Sequence, residues 1–242
     1  MPTLQRADVT LYWEEHGSGY PLIVFAPGGM RSSVEYWKRS PFDPRTALAE
    51  SFRVIAMDQR NAGRSTAPVR AADGWRSYTA DHLALLDHLE IDRCHLLGGC
   101  IGSSYCLALI EAAPERVSAA VLQSPIGLHE NRNAFFAMFD GWGADLKERK
   151  PGLDDSTLET FRDSMYGGDF VFSVSRSFVR SCSTPLLVLA GNDLYHPTPV
   201  AREIAELAPD AELVLEWKEP DVVPAAVERV RAFLSRHTPA GA

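Results

Sequence analysis

Cys94-His95-Leu96-Leu97-Gly98-Gly99-Cys100-Ile101-Gly102-Ser103-Ser104 is the stretch that decides the fold. Cys94 to Leu97 reads as a strand buried on both faces. A run of small residues from Ser103 to about Ala113 reads as a helix that stops at Pro114. Between them the chain must turn sharply at Cys100, with Gly98 two residues before and Gly102 two residues after. Such a turn strains the backbone of its central residue, and the glycines let the helix pack close to the strand. The helix N-terminus then points at the Cys100 sulfur, and its dipole favours a thiolate and a developing oxyanion. Cys94 and Cys106 have no such setting and read as structural cysteines.

Working outward, short apolar runs alternate with helical patterns. Leu11 to Glu15 is expected to be an edge strand, with its turn at 16–19. Leu22 to Phe25 is a buried strand ending at Pro27-Gly28-Gly29, and Phe52 to Met57 is another, ending at Asp58. A helix follows from about Thr79 to Glu90, with Leu83, Leu86 and Leu89 at helical spacing. Val117 to Leu122, Pro185 to Leu189 and Glu212 to Trp217 are further strands, and a terminal helix spans about Pro224 to Arg236. This alternation predicts an α/β fold with a doubly wound, mostly parallel sheet. Ligands of such sheets bind at the carboxyl ends of the strands. The segment 127–182 is too long for a simple crossover and rich in aromatic residues, including Phe135, Phe139, Trp142, Phe161 and Tyr166. It is expected to be a short helical cap lining an apolar pocket, with 1–126 and 183–242 forming the core.

Composition narrows the function classes. The 242 residues carry 24 basic and 32 acidic side chains, a formal charge of −8. That balance disfavours nucleic acid and anionic membranes as partners but does not identify a substrate; a small-molecule substrate is the partner expected. No apolar stretch approaches a membrane span, and Met1 to Glu15 shows no leader-like pattern. The four cysteines, Cys94, Cys100, Cys106 and Cys182, fit no zinc spacing and no redox pair, so reduced thiols, no metal and a cytoplasmic location are expected. There is neither a G-x-G-x-x-G nor a P-loop, and no cofactor is expected.

Four motifs, in order, resemble those of α/β-hydrolases. Gly98-Gly99-Cys100-Ile101-Gly102 is similar to the nucleophile elbow, with sulfur where most members carry a hydroxyl. Ala26-Pro27-Gly28-Gly29 resembles the oxyanion loop, and Asp58-Gln59-Arg60-Asn61-Ala62-Gly63-Arg64-Ser65 the family's Asp-x-Arg-Gly-x-Gly-x-Ser loop. Gly191-Asn192-Asp193 resembles the loop bearing the triad acid. A cysteine at the elbow is similar to dienelactone hydrolases, while the surrounding sequence looks more like the capped esterase and C–C hydrolase branch. The resemblance implies that the amides of Gly29 and Ile101 form an oxyanion hole and that Asp193 orients a base. Arg60 and Asn61 are expected to hold their loop.

The family's histidine belongs after the last strand, where this chain reads Glu216-Trp217-Lys218-Glu219-Pro220-Asp221. A thiol ionises more readily than a hydroxyl, so a substitute from elsewhere suffices. His196, three residues after Asp193, is the leading candidate, with Glu219, Glu216 and His129 behind it. His82 and His88, six apart on a helix, do not share a face, and His95 falls in a buried strand. The expected activity is a hydrolase that attacks a small ester, thioester, lactone or related carbonyl compound through Cys100. A non-hydrolytic lyase or isomerase, and a non-catalytic binding protein on a degenerate scaffold, remain the alternatives.

Overall fold

The computed structural model describes residues 2–241. Its strands are β1 (Thr3–Arg6), β2 (Val9–His16), β3 (Pro21–Phe25), β4 (Arg53–Met57), β5 (Cys94–Gly99), β6 (Val117–Gln123), β7 (Leu186–Leu189) and β8 (Ala211–Val214). Among the described residues they form one eight-stranded sheet in the order β1-β2-β4-β3-β5-β6-β7-β8. β1 and β2 run antiparallel at one side, and the strands from β4 to β8 are parallel.

The helices are α1 (Pro44–Ala47), α2 (Trp75–His88), α3 (Ile101–Ala112), α4 (Arg132–Arg149), α5 (Asp155–Tyr166), α6 (Arg176–Ser181), α7 (Thr198–Leu207) and α8 (Val223–Arg236). They cover both faces of the sheet, which is why the inner strands are apolar throughout rather than alternating. Ile23, Phe25, Leu96 and Leu122 join α2, α3, α7 and the aromatic residues of α4 and α5 in one core. Leu22, Val24, Leu97 and Val121, one residue out of phase, pack with Trp37 and with Val230, Phe233 and Leu234 of α8 in the other.

The structure departs from the sequence expectations at two margins. Leu11 to Glu15 is not an edge: β1 pairs outside it, Thr3 opposite Tyr12. β1 buries only Leu4, so it lacks the apolar signature by which inner strands are recognised. The last strand stops at Val214 rather than Trp217. That indole folds back beneath the sheet end, its Nε1 donating to the Ala190 carbonyl at 2.7 Å.

α4, α5 and α6 fall between β6 and β7, in the stretch read as a cap. Most of its aromatic side chains pack against one another. Phe139 touches Trp142, Phe161 and Tyr166 edge-on, with ring centroids 5.2–6.4 Å apart. Only Phe135 and Tyr166 of that group reach the cavity above Cys100.

Candidate active site

Cys100 sits between β5 and α3 with φ 59° and ψ −120°, a strained conformation for a residue with a side chain. The turn is pinned from both sides. Cys100 donates its N–H to the Gln123 carbonyl at 2.9 Å, and the Ser103 hydroxyl donates to the Gly98 carbonyl at 2.8 Å. Nothing larger than glycine fits at the flanks. A Cβ on Gly98 would lie 2.1 Å from the Gly102 carbonyl oxygen, and one on Gly102 would lie 2.2 Å from that of Phe25. Those contacts are the physical content of the spacing read from sequence.

The loop after β7 delivers the other two groups. Asp193 and His196 face each other across a tight turn that Gly191 permits, because a Cβ there would strike the His196 side chain at 2.2 Å. His196 Nδ1 lies 2.8 and 2.9 Å from the two Asp193 carboxylate oxygens. The Asp193 carboxylate also accepts the N–H groups of Tyr195 and His196 at 3.0 and 3.2 Å. That network leaves Nδ1 as the donor and frees Nε2. Nε2 is buried and has no hydrogen-bond partner of regular geometry among the described residues. His196 and Cys100 line the same cavity.

The two side chains polarise each other. Burial by itself raises the Cys100 pKa, but the charge and polar contact of His196, with the amides of Gly28 and Ile101, carry it below its ordinary value. Burial likewise lowers that of His196, yet the Cys100 sulfur and Asp193 outweigh it and raise the imidazole to about 9. Each partner thus favours the charged form of the other, the imidazole lowering the thiol's pKa and the sulfur raising that of the imidazole. The other thiols behave differently: burial pushes Cys94 up to about 12 and Cys106 well above its ordinary range.

The Ile101 amide, expected to serve an oxyanion, lies against the Cys100 sulfur. On the opposite side the amide that reaches the sulfur is that of Gly28, one residue before the expected Gly29. Gly29 lines the cavity next to it, covered by Met138. The cavity measures about 220 Å³, and its wall is completed by Ile126, Phe135, Met138, Tyr166 and Tyr195. Met138 and Tyr195 carry no sequence signal, since only the folded α4 and the loop after β7 bring them to the sulfur.

The remaining candidates lie elsewhere. Glu216, Glu219 and His129 are exposed and line neither cavity that reaches Cys100. His82 is buried against Phe25, its Nε2 2.8 Å from Gln59 Oε1, and burial lowers its pKa to about 3. His95 is buried, with Nε2 2.9 Å from the Thr238 hydroxyl. Arg60 donates to Asp81 at 2.8 Å and Asp73 at 2.9 Å, and Asn61 Oδ1 accepts the Ala67 N–H, so both brace their loop. Among the described residues no group of three or more His, Cys, Asp or Glu is arranged to hold a metal. No described helix is long and apolar enough to cross a membrane.

Residues 21–169 match the family described as alpha/beta hydrolase fold. The chain is 36% identical over 148 residues to a proline iminopeptidase of Arabidopsis thaliana, a match covering 59% of this chain and 37% of that protein. It thus spans little more than a third of that relative's length. A putative carbamate hydrolase of Pseudomonas syringae is 28% identical over 224 residues, covering 81% of this chain and 84% of the other. The solved meta-cleavage product hydrolase of Pseudomonas fluorescens superposes with a TM-score of 0.72 at 19% identity, covering 98% of both chains. At that identity the likeness is one of fold alone.

Proposed function

Because the chain belongs to the alpha/beta hydrolase fold family, we propose that it is a hydrolase that attacks a small carbonyl compound through the Cys100 thiolate. The observation that carries this reading is the line Cys100–His196–Asp193, with two backbone amides at the sulfur. The apolar cavity of about 220 Å³ suits a small acyl group.

In the first step the sulfur bonds to the carbonyl carbon, and the C=O π pair moves onto oxygen. That oxyanion lies by the amides of Gly28 and Ile101, which we assign as the hole. Collapse of the intermediate breaks the bond to the leaving group. The leaving atom takes its electron pair and the proton on His196 Nε2, and Cys100 is left as a thioester. In the second step His196, now neutral, takes a proton from water as the water oxygen attacks the thioester carbon. The thiolate then leaves with the C–S pair, the acid is released, and imidazolium and thiolate are restored. Asp193 orients the ring and stabilises its positive form throughout.

Mild alkylation with iodoacetamide at neutral pH tests the nucleophile. Peptide mapping should find Cys100 modified at least about tenfold faster than Cys94, Cys106 or Cys182, because thiolate fraction sets the rate. Equal rates at the four thiols would sink the assignment. Turnover in oxygen-18 water should place label in the acid product. An unlabelled product would favour the lyase or isomerase reading instead.

A further inference from the structure

A second cavity, of about 230 Å³, meets the first at the same two side chains, Cys100 and His196. It lies on the other side of the pair, between the oxyanion loop and the loop after β8. Trp217 and Lys218 come from the stretch in which no histidine stands. The two cavities differ in chemistry. The first is walled by Ile126, Phe135 and Met138, whereas the second holds two cations, Arg39 and Lys218, and the polar Gln123.

Neither cation is neutralised. Arg39 lies over the Tyr36 ring at 4.9 Å, and Lys218 donates to the side-chain oxygen of Asn192. Among the described residues neither makes an ion pair. Asp193 borders the same cavity, but its oxygens are engaged by the His196 ring and two amides. In a chain with eight surplus negative charges, two unpaired cations beside a nucleophile create a local anion site. Gln123 adds a separate observation. It is 2% exposed, its Nε2 donates to Ser40 at 2.8 Å, and its Oε1 is buried with no donor among the described residues. Its own backbone carbonyl holds the Cys100 N–H, which places the residue next to the reacting sulfur.

We propose that this second cavity is the leaving-group pocket and that the leaving group carries a carboxylate. The inference rests on the hydrolase reading above, and it names the substrate class: a small apolar acyl group joined to an acidic alcohol, thiol or amine. The acyl half fills the Phe135–Met138 side, and the departing half lies against Arg39 and Lys218. When His196 protonates the departing atom, that atom becomes a donor. Gln123 lines the same cavity, with no donor to its Oε1 among the described residues.

Binding and turnover can be separated with simple probes. 3-Hydroxybenzoate and phenol differ only in the carboxylate, and each can be titrated into the full-length protein by calorimetry. 3-Hydroxybenzoate should bind at least about tenfold tighter than phenol, as a charge-assisted contact allows. Rising salt should erode the difference. Arg39→Ala with Lys218→Ala should reduce the ratio to near one. Lys218→Glu alone should push it lower than the wild-type value. Both positions reach solvent, and melting curves check that the variants fold. Equal binding of the two probes, or a preference that survives both substitutions, would overturn the pocket. The esters 3-carboxyphenyl acetate and phenyl acetate report on the chemistry. Equal turnover of both overturns the leaving-group role while leaving the hydrolase standing. Selective binding of 3-hydroxybenzoate with no acetyl adduct on Cys100 from either ester keeps the anion site and rejects hydrolysis.

Discussion

At Cys100 the decisive quantity is the charge on one sulfur. Burial would keep the thiol neutral, and only the neighbouring imidazolium and two amides reverse that. The sign of the pH dependence follows. A thiol with a lowered pKa stays ionised to a lower pH than an ordinary thiol, so the alkylation rate of Cys100 should persist to lower pH than that of a free cysteine and fall as pH drops through the lowered value. His196, raised to about 9, keeps its proton across the neutral range and loses it above that pH. Ester turnover should therefore decline above about pH 9, when the leaving group loses its proton donor. A pH–rate profile that keeps rising beyond pH 10 would contradict the assignment of His196. Cys100→Ser replaces the polarised thiol with a hydroxyl and removes the sulfur that raises the His196 pKa, so attack then depends on His196 taking the hydroxyl proton as general base. Turnover should fall by roughly two orders of magnitude or more. Steady-state rates on phenyl acetate measure this, and His196→Ala should cost a comparable factor.

Elements matter here through how closely their backbones approach. α3 crosses β5 and β3 with room for hydrogen alone at Gly98 and Gly102. Gly102→Ala should destabilise the fold by about 3 kcal/mol, since the clash is with backbone that has no free direction to move. Chemical denaturation would read this as a lower midpoint, and an unchanged midpoint would mean that α3 shifts at little cost. A second device joins α4 to the loop after β7. Asn131, at the start of α4, donates to the carbonyls of Gly127 and Leu194 at 3.1 and 2.7 Å. α4 also contributes Phe135 and Met138 to the cavity at the sulfur, so one asparagine ties that wall to the loop that carries Asp193 and His196. The continuous apolar runs of β3, β4, β5 and β6 were legible as strands because two helical layers cover them. β1, with one buried residue, was not, and α7 went unread although Pro199 stands in its first turn.

Across the whole molecule, two histidines are buried as neutral rings far from the cleft chemistry. Burial lowers His82 to about 3 and His95 to about 4. The unfolded chain, with ordinary histidines near 6.5, binds more protons than the folded one between those values and 6.5. Stability is thus lost as pH falls below 6.5, on the order of 3 kcal/mol for each ring by pH 4. Denaturation midpoints measured from pH 7 to pH 4 should drop steeply, and His95→Gln should flatten that slope. The sequence alone determined the parallel sheet and the tight turn at Cys100, and it offered Asp193 with His196 as the leading acid and base among several candidates. Those features rest on local rules: burial on both faces makes an apolar run, a tight turn demands glycine, and three residues separate Asp193 from His196. It could not determine which amide reaches the sulfur, which aromatic residues touch the cavity, or that a second, cationic cavity opens behind it. Gly28, Met138, Gln123 and Lys218 are far apart in the chain, and no periodicity links them. Only the packing of α4, the oxyanion loop and the loop after β8 around one sulfur brings them together, because that proximity is a property of the folded layers and not of any local segment.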